Sequence, residues 1–296
     1  MKKLTAMLLV LVMLLSLSAA AMADEGADNT ANNTSDLKTM SFVTALRSIR
    51  QNHWEGEFHK AGDLNLSVWI PGQFKEKDDM PDDAILFYGD EKSEASVMLH
   101  RVGLDGAATL EDVEKNVKDL GGNSAGIYWI NSYNVLLYQN EANDSLCAVI
   151  LSDEDYALEF VLSPISDKES NSLLTTILCT VQPNVLHIDD AAEMIDADLN
   201  VTWGENKHVS FANDGTDITV NMWDKDVTAD TISSVNNWDE VKQDKINSYY
   251  SVYADTLAIF GMDKDVELIL NFTSPDEKTN FLTIDDGKLT YDVLAR

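Results

Sequence analysis

The sequence predicts an α+β protein of two domains, each an antiparallel sheet packed with helices. Three observations carry this. Short apolar alternations of strand period recur through residues 64–162 and return through residues 199–294. A few amphipathic helices stand between them, each with a readable start and stop. The strands come in runs, whereas a parallel α/β fold would alternate strand with helix. With 296 residues, 45% of them hydrophobic, the chain can fill two cores of ordinary size.

The elements follow in order. Lys2 and Lys3 precede an apolar run from Leu4 to Leu17, and Ala21-Met22-Ala23 fits a small-x-small cleavage site, so residues 1–23 read as a secretory signal peptide. No Cys follows the run, and no second run is long enough to span a bilayer. The expected product is secreted or extracellular, at the cell surface or beyond it, with no membrane insertion after signal cleavage. Residues 24–36 hold little to bury and read as a flexible spacer.

The first domain is expected over residues 37–183. Leu37, Met40, Val43, Leu46 and Ile49 recur at helical spacing. Leu64, Leu66, Val68 and Ile70 alternate with polar or aromatic neighbours until Pro71-Gly72 turns the chain. Ala84–Tyr88 and Ala95–Val102 read as further strands. Thr109 then caps a stripe of Leu110, Val113, Val117 and Leu120, with Glu111 and Asp112 in the first turn and Gly121-Gly122 as the stop. Strands resume at Gly126–Ile130, Asn134–Gln139, Leu146–Leu151 and Ala157–Leu162. A closing helix runs from Lys168 to Val181, ahead of Pro183.

Residues 184–197 read as a linker, and residues 198–296 as a second α+β domain with a long helix. Its strands are expected at Leu199–Trp203, His208–Ala212 and Ile218–Trp223, with a turn at Asn213-Asp214-Gly215. A helical region over residues 229–260, broken at Asn236-Asn237, buries Trp238, Val241, Ile246, Tyr249, Tyr250, Tyr253, Leu257 and Phe260. Strands at Val266–Thr273, Asn280–Ile284 and Leu289–Leu294 complete it.

The first domain resembles the Mog1/PsbP-like fold found in small secreted proteins and lipoproteins of Gram-positive bacteria. The resemblance covers residues 55–183. It rests on the strand ending Ile70-Pro71-Gly72, the helix Leu110–Leu120, the string of strands after it, and the helix ending Val181-Gln182-Pro183. It implies a non-enzymatic binding or assembly module: PsbP-type members assist a photosystem, and Mog1-type members bind a small GTPase. No partner-binding motif of either kind stands in this sequence. The second domain resembles C-terminal parts of uncharacterised secreted bacterial proteins.

Charge narrows the function. Lys and Arg number 21 against 51 Asp and Glu, a formal net charge of -30. That field repels phosphate polymers and anionic lipid, so nucleic-acid binding is excluded.

No catalytic, cofactor-binding or metal-ligating set stands out, and no cofactor is expected. The histidines are His53, His59, His100, His187 and His208, and none forms a His-Glu-x-x-His site. In an extended segment, His53, Glu55, Glu57 and His59 would share one face. Asp196, Asp198 and Asn200 match the first ligands of a calcium loop, but its Gly and its closing Glu are missing. Asp224 with Asp226 and Asp263 with Asp265 match it less well, and Asp153 with Asp155 reads as a solvated hairpin pair. Cys147 and Cys179 allow one disulfide or two buried thiols. Trp69, Trp129, Trp203 and Trp223 sit in or beside strands, as core residues or as surfaces for a sugar or peptide. The expected function is a secreted, non-enzymatic protein that binds a protein, peptide or glycan partner. The alternative is an extracellular hydrolase assembled from scattered His and carboxylate residues, signalled by His100 or His208 beside a buried carboxylate.

Overall fold

The computed structural model describes residues 38–62, 64–104, 106–152, 156–211, 215–228, 231–232 and 238–294. The expected signal peptide and spacer, the Asp153/Asp155 pair, the turn residues Asn213 and Asp214 and the break at Asn236-Asn237 lie outside them. The described residues divide into two units: 38–39 with those of 54–182, and 40–53 with those of 183–294.

In chain order the elements begin β1 (Lys38–Met40), α1 (Phe42–Gln51), β2 (Gly56–Lys60), β3 (Ser67–Pro71), β4 (Lys75–Glu76), β5 (Ala84–Gly89) and β6 (Ser96–Gly103). They continue α2 (Leu110–Asp119), β7 (Asn123–Ile130), β8 (Tyr133–Asn140), β9 (Ser145–Leu151), β10 (Tyr156–Ser163) and α3 (Lys168–Cys179). The remainder is α4 (Ile188–Trp203), β11 (Lys207–Phe211), β12 (Asp217–Trp223), α5 (Trp238–Lys245), a π turn (Ile246–Tyr250), α6 (Ser251–Ile259), β13 (Glu267–Thr273), β14 (Asn280–Asp285) and β15 (Lys288–Asp292). No helix among the described residues is long and apolar enough to cross a membrane.

The first unit is α+β. Its eight-stranded sheet runs β1-β7-β8-β9-β10-β6-β5-β4, and β4 through β10 to β7 pair antiparallel. A separate ribbon joins β2 to β3. Thr109 caps α2 by accepting from the Asp112 amide, and Asp112 accepts in return from the Thr109 amide, each at 3.2 Å. This fixes the helix so that Leu110 meets Leu136, Val149 and Ala157 on one sheet face, with Val113, Val117 and Tyr138 packed around them. The alternate residues Leu158, Phe160 and Leu162 of β10 are buried on the opposite side, where α3 packs against β10 and β3. Cys147 lies across from Tyr138 on the α2 side. Both cysteines are free and buried, so the disulfide alternative does not occur.

The second unit holds a five-stranded sheet, β11-β12-β13-β14-β15. Its β12 and β13 pair parallel, so the sheet is mixed and not wholly antiparallel. A parallel neighbour needs a crossover, and α5, the π turn and α6 lie in that connection. Ile218, Val220, Met222, Leu268, Leu270 and Ile284 are buried on one side of this sheet.

Two boundaries differ from the sequence reading. The segment read as linker and the strand expected at Leu199–Trp203 form one helix, α4. His187 and Asp190 cap it, and Ala191, Met194, Ile195 and Leu199 are buried at helical spacing. Helix α1, read as the start of the first domain, belongs to the second unit, where it packs against α4 and α6. Phe42 meets Phe260 there, with ring centroids 5.5 Å apart.

Candidate functional site

The second unit's sheet has two chemically distinct faces. Period-two alternation sends Ile218, Val220 and Met222 into the core and turns Thr219, Asn221 and Trp223 the other way. The same alternation in β13 separates Leu268, Leu270 and Phe272 from Ile269 and Asn271. Register then aligns one polar residue from each strand: His208 opposite Asn221, Asn221 opposite Asn271, Asn271 opposite Thr283, and Thr283 opposite Tyr291. The result is a row that crosses all five strands.

Hydrogen bonds run along the row in one direction. The Thr283 hydroxyl donates to Asn271 Oδ1 at 2.9 Å, and Asn271 Nδ2 donates to Asn221 Oδ1 at 2.9 Å. Asn221 Nδ2 donates in turn to Glu277 Oε2 at 2.9 Å. His208 Nδ1 lies 3.4 Å from the same carboxylate oxygen. Asn280 adds its Nδ2 to Asn271 Oδ1 at 3.3 Å, while its own buried Oδ1 has no hydrogen-bond partner among the described residues.

The ends of the row are exposed and its middle is half-buried. Tyr291, at one end, leaves 47% of its surface open. Glu277, at the other, holds a left-handed backbone with φ of 55°, in a loop tied by Ser274 and Asp276. A non-glycine residue in that region is strained, and the loop's own hydrogen bonds maintain it. Such a surface offers fixed amide donors and acceptors, one carboxylate, one imidazole and one aromatic face. It suits a neutral polyhydroxylated ligand, whose hydroxyls each donate and accept.

The first unit gathers a second polar cluster. His100 on β6 stands opposite Glu159 on β10, with Nε2 2.9 Å from Glu159 Oε2 and Nδ1 3.1 Å from Asp83 Oδ2. The Tyr138 hydroxyl donates to the other oxygen of Glu159. The hydrogen bond from Glu159 is the largest influence raising the His100 pKa, against burial, which lowers it. Burial raises the Tyr138 hydroxyl far above its usual range and pushes the Cys147 thiol up to about 11. A carboxylate stands at each ring nitrogen of His100, an arrangement that favours its protonated form. Both nitrogens are thereby engaged with protein carboxylates and not turned to an open space.

The remaining expected groups are dispersed. His53 ends the α1 segment in a left-handed conformation, whereas Glu57 and His59 lie on β2 of the other unit, so the expected single extended face does not form. Tyr88 engages His59 Nδ1 at 3.2 Å. Asp196, Asp198 and Asn200 are helical, and Asp198 is buried against Arg47, which removes the loop geometry that a calcium ion needs. Asp224 accepts from the Asp226 amide at 2.9 Å, and Asp263 and Asp265 are exposed. His187 caps α4. Trp69 is buried, Trp129 and Trp223 are half-buried, and Trp203 Nε1 donates to the Tyr249 hydroxyl at 3.2 Å. Among the described residues, no group of three His, Cys, Asp or Glu is arranged to hold a metal ion.

Of this set only His208 stands out as a candidate in the sequence, and Asn221, Asn271, Glu277, Thr283 and Tyr291 belong to no catalytic or ligand-binding motif. The signal is faint: Asn221, Asn271, Thr283 and Tyr291 are polar or aromatic residues at outward strand positions, and Glu277 lies in the loop between two strands.

The chain is similar to solved structures, two of which are the following. The solution structure of cyanobacterial PsbP (CyanoP) from Synechocystis sp. PCC 6803 is 10% identical over 53% of this chain and 98% of its own, with a TM-score of 0.31. A crystal structure of a protein from Bacteroides thetaiotaomicron VPI-5482 is 10% identical over 79% of this chain and 84% of its own, with a TM-score of 0.30. A PsbP-type protein is thus among the structures this chain resembles. Likeness at this level transfers neither partner nor activity. No protein-family model and no curated protein matches the chain.

Proposed function

We propose that this is an exported, non-enzymatic binding protein whose second unit holds a neutral glycan across its five-stranded sheet. The observation that carries the reading is the row His208, Asn221, Asn271, Thr283 and Tyr291, hydrogen-bonded through to Glu277. A preset chain of amides costs little entropy to bind, because its donors are already oriented. Tyr291 supplies an exposed ring on which a sugar face can stack. The net charge of -30 selects against anionic polymers and leaves neutral ones.

The hydrolase alternative draws on His100 between its two carboxylates. It is the weaker reading, because both ring nitrogens already face protein carboxylates, one of which a substrate would have to displace.

The test is calorimetric titration of the mature chain with cellohexaose and chitohexaose. We expect saturable binding to one of them, weakened about tenfold by Tyr291→Ala, which is roughly 1.4 kcal/mol, and also weakened by Asn271→Ala. Failure of both sugars to bind at millimolar concentration, or binding that ignores both substitutions, removes this reading.

A further inference from the structure

Lys245 closes α5 with its ammonium group turned into aromatic rings. Its Nζ lies 4.8 Å from the Trp203 ring centre, 5.0 Å from that of Tyr249 and 5.6 Å from that of Phe272. These rings brace one another. Trp203 meets Tyr249 and Phe272 edge-on at 6.2 Å and 6.1 Å, and the indole N–H donates to the tyrosine hydroxyl. The neighbouring Lys242 shows the ordinary alternative, since it pairs with Asp239 and Asp292. Lys245 makes no ion pair or hydrogen bond of that kind among the described residues.

We propose that Lys245 is a reactive amine site for small uncharged aldehydes, with the Trp203–Tyr249–Phe272 enclosure as its binding wall. An ammonium removed from water without a hydrogen-bond acceptor gives up its proton more easily, and the neutral amine is the nucleophile. The groups around it act in both directions. Burial lowers the Lys245 pKa most strongly, and the charges of Asp244 and Asp224 oppose it. The three ring faces favour the cation, and Arg47 competes for the Tyr249 ring from 5.5 Å. The surrounding acidity repels anionic carbonyl compounds, which restricts the substrate class to uncharged ones.

The chemistry balances without a cofactor. The amine lone pair attacks the carbonyl carbon, and the C=O π pair moves to oxygen, which takes up a proton while nitrogen releases one. The carbinolamine hydroxyl then takes a proton from solvent and leaves as water while the nitrogen lone pair forms C=N, giving a protonated imine. That product is itself a cation, so the same rings that held the ammonium hold it.

The test uses propanal with sodium cyanoborohydride, which traps the imine as a secondary amine, on the full mature chain at pH 7. Modification at each lysine is timed by peptide mass mapping. We expect Lys245 to react about fivefold faster than Lys278 and Lys288, and its lead to shrink as pH rises and the other amines deprotonate. The side chains of Lys278 and Lys288 are 81% and 80% exposed, so simple accessibility predicts the reverse order. Trp203→Phe should keep the lead and Trp203→Ala should lose it. Phe272→Leu replaces the alanine variant if circular dichroism shows that variant unfolded. Lys245 trailing the exposed lysines, or leading equally without the ring, overturns the proposal.

Discussion

Arg47 and Asp198 form an ion pair at 2.5 Å that joins α1 to α4 inside the second unit, and the Asp198 side chain is only 1% exposed. The pair is fully engaged. Arg47 Nη2 donates to the Ser248 carbonyl at 2.9 Å, and Asp198 also accepts from Thr44 at 3.1 Å and from Tyr253 at 2.9 Å. Burial acts to lower the Arg47 pKa, yet the charge of Asp198 leaves it raised overall.

Removing one partner strands the other. Asp198→Ala is therefore expected to destabilise the second unit by about 3 kcal/mol, while Arg47→Met with Asp198→Leu recovers most of that loss. Urea unfolding monitored by tryptophan fluorescence measures both. A chain shortened to start at Trp54 should show the same weakening, because it lacks α1.

Asn131 and Ser132 turn the β7–β8 hairpin with φ of 46° and 78°, the left-handed pair that a two-residue turn requires. Asn131 is also fully buried, and its Nδ2 donates to the carbonyls of Cys179 at 2.7 Å and Val181 at 2.8 Å, where α3 ends. One side chain thus shapes a turn and satisfies the end of a helix 48 residues away. Asn131→Ala should cost about 3 kcal/mol, and Asn131→Gly, which keeps the backbone freedom, about 1–2 kcal/mol. Chemical denaturation of the two variants separates backbone strain from the lost hydrogen bonds.

What the sequence revealed follows the range of each interaction. Helix α2 was legible because Thr109, Asp112 and the stripe from Leu110 to Val117 lie within three turns of one another. The strands of the first unit were legible for the same local reason. Helix α4 was not, because Asp198 sits on its buried side and its partner Arg47 is 151 residues upstream. Without that partner, the alternation of Leu199, Val201 and Trp203 looks like a strand. The polar row was further out of reach. Its alignment depends on register across five strands, including a parallel pair whose crossover holds α5 and α6.

His100 gives the first unit a pH-dependent contribution to stability. Its pKa is raised in the folded state, chiefly by Glu159, so the folded chain holds that proton more tightly than the unfolded chain does. The contribution is complete below the unfolded value near 6.5 and is lost as pH rises through the higher folded value. The urea midpoint should accordingly fall more steeply as pH rises above about 6.5 in the unaltered chain than in His100→Gln. An NMR titration of the ring should place its midpoint above the ordinary histidine range. Equal slopes in the two chains would refute the linkage.

The two thiols lie on opposite sides of the first unit's sheet, Cys147 beside Tyr138 on the α2 side and Cys179 at the end of α3. Burial is the main reason that both resist ionisation, Cys147 being pushed up to about 11 and Cys179 to about 12. Because the thiolate is the species that exchanges with disulfides, the folded protein should react slowly with Ellman's reagent at pH 8. Both thiols should appear at once in denaturant. Cys147→Ala should leave unit folding intact at a cost of about 1 kcal/mol, the size of a lost small apolar contact and not that of a severed crosslink. A protein that releases no thiol in denaturant, but two after reduction, would show that the sheet had opened far enough for the cysteines to meet.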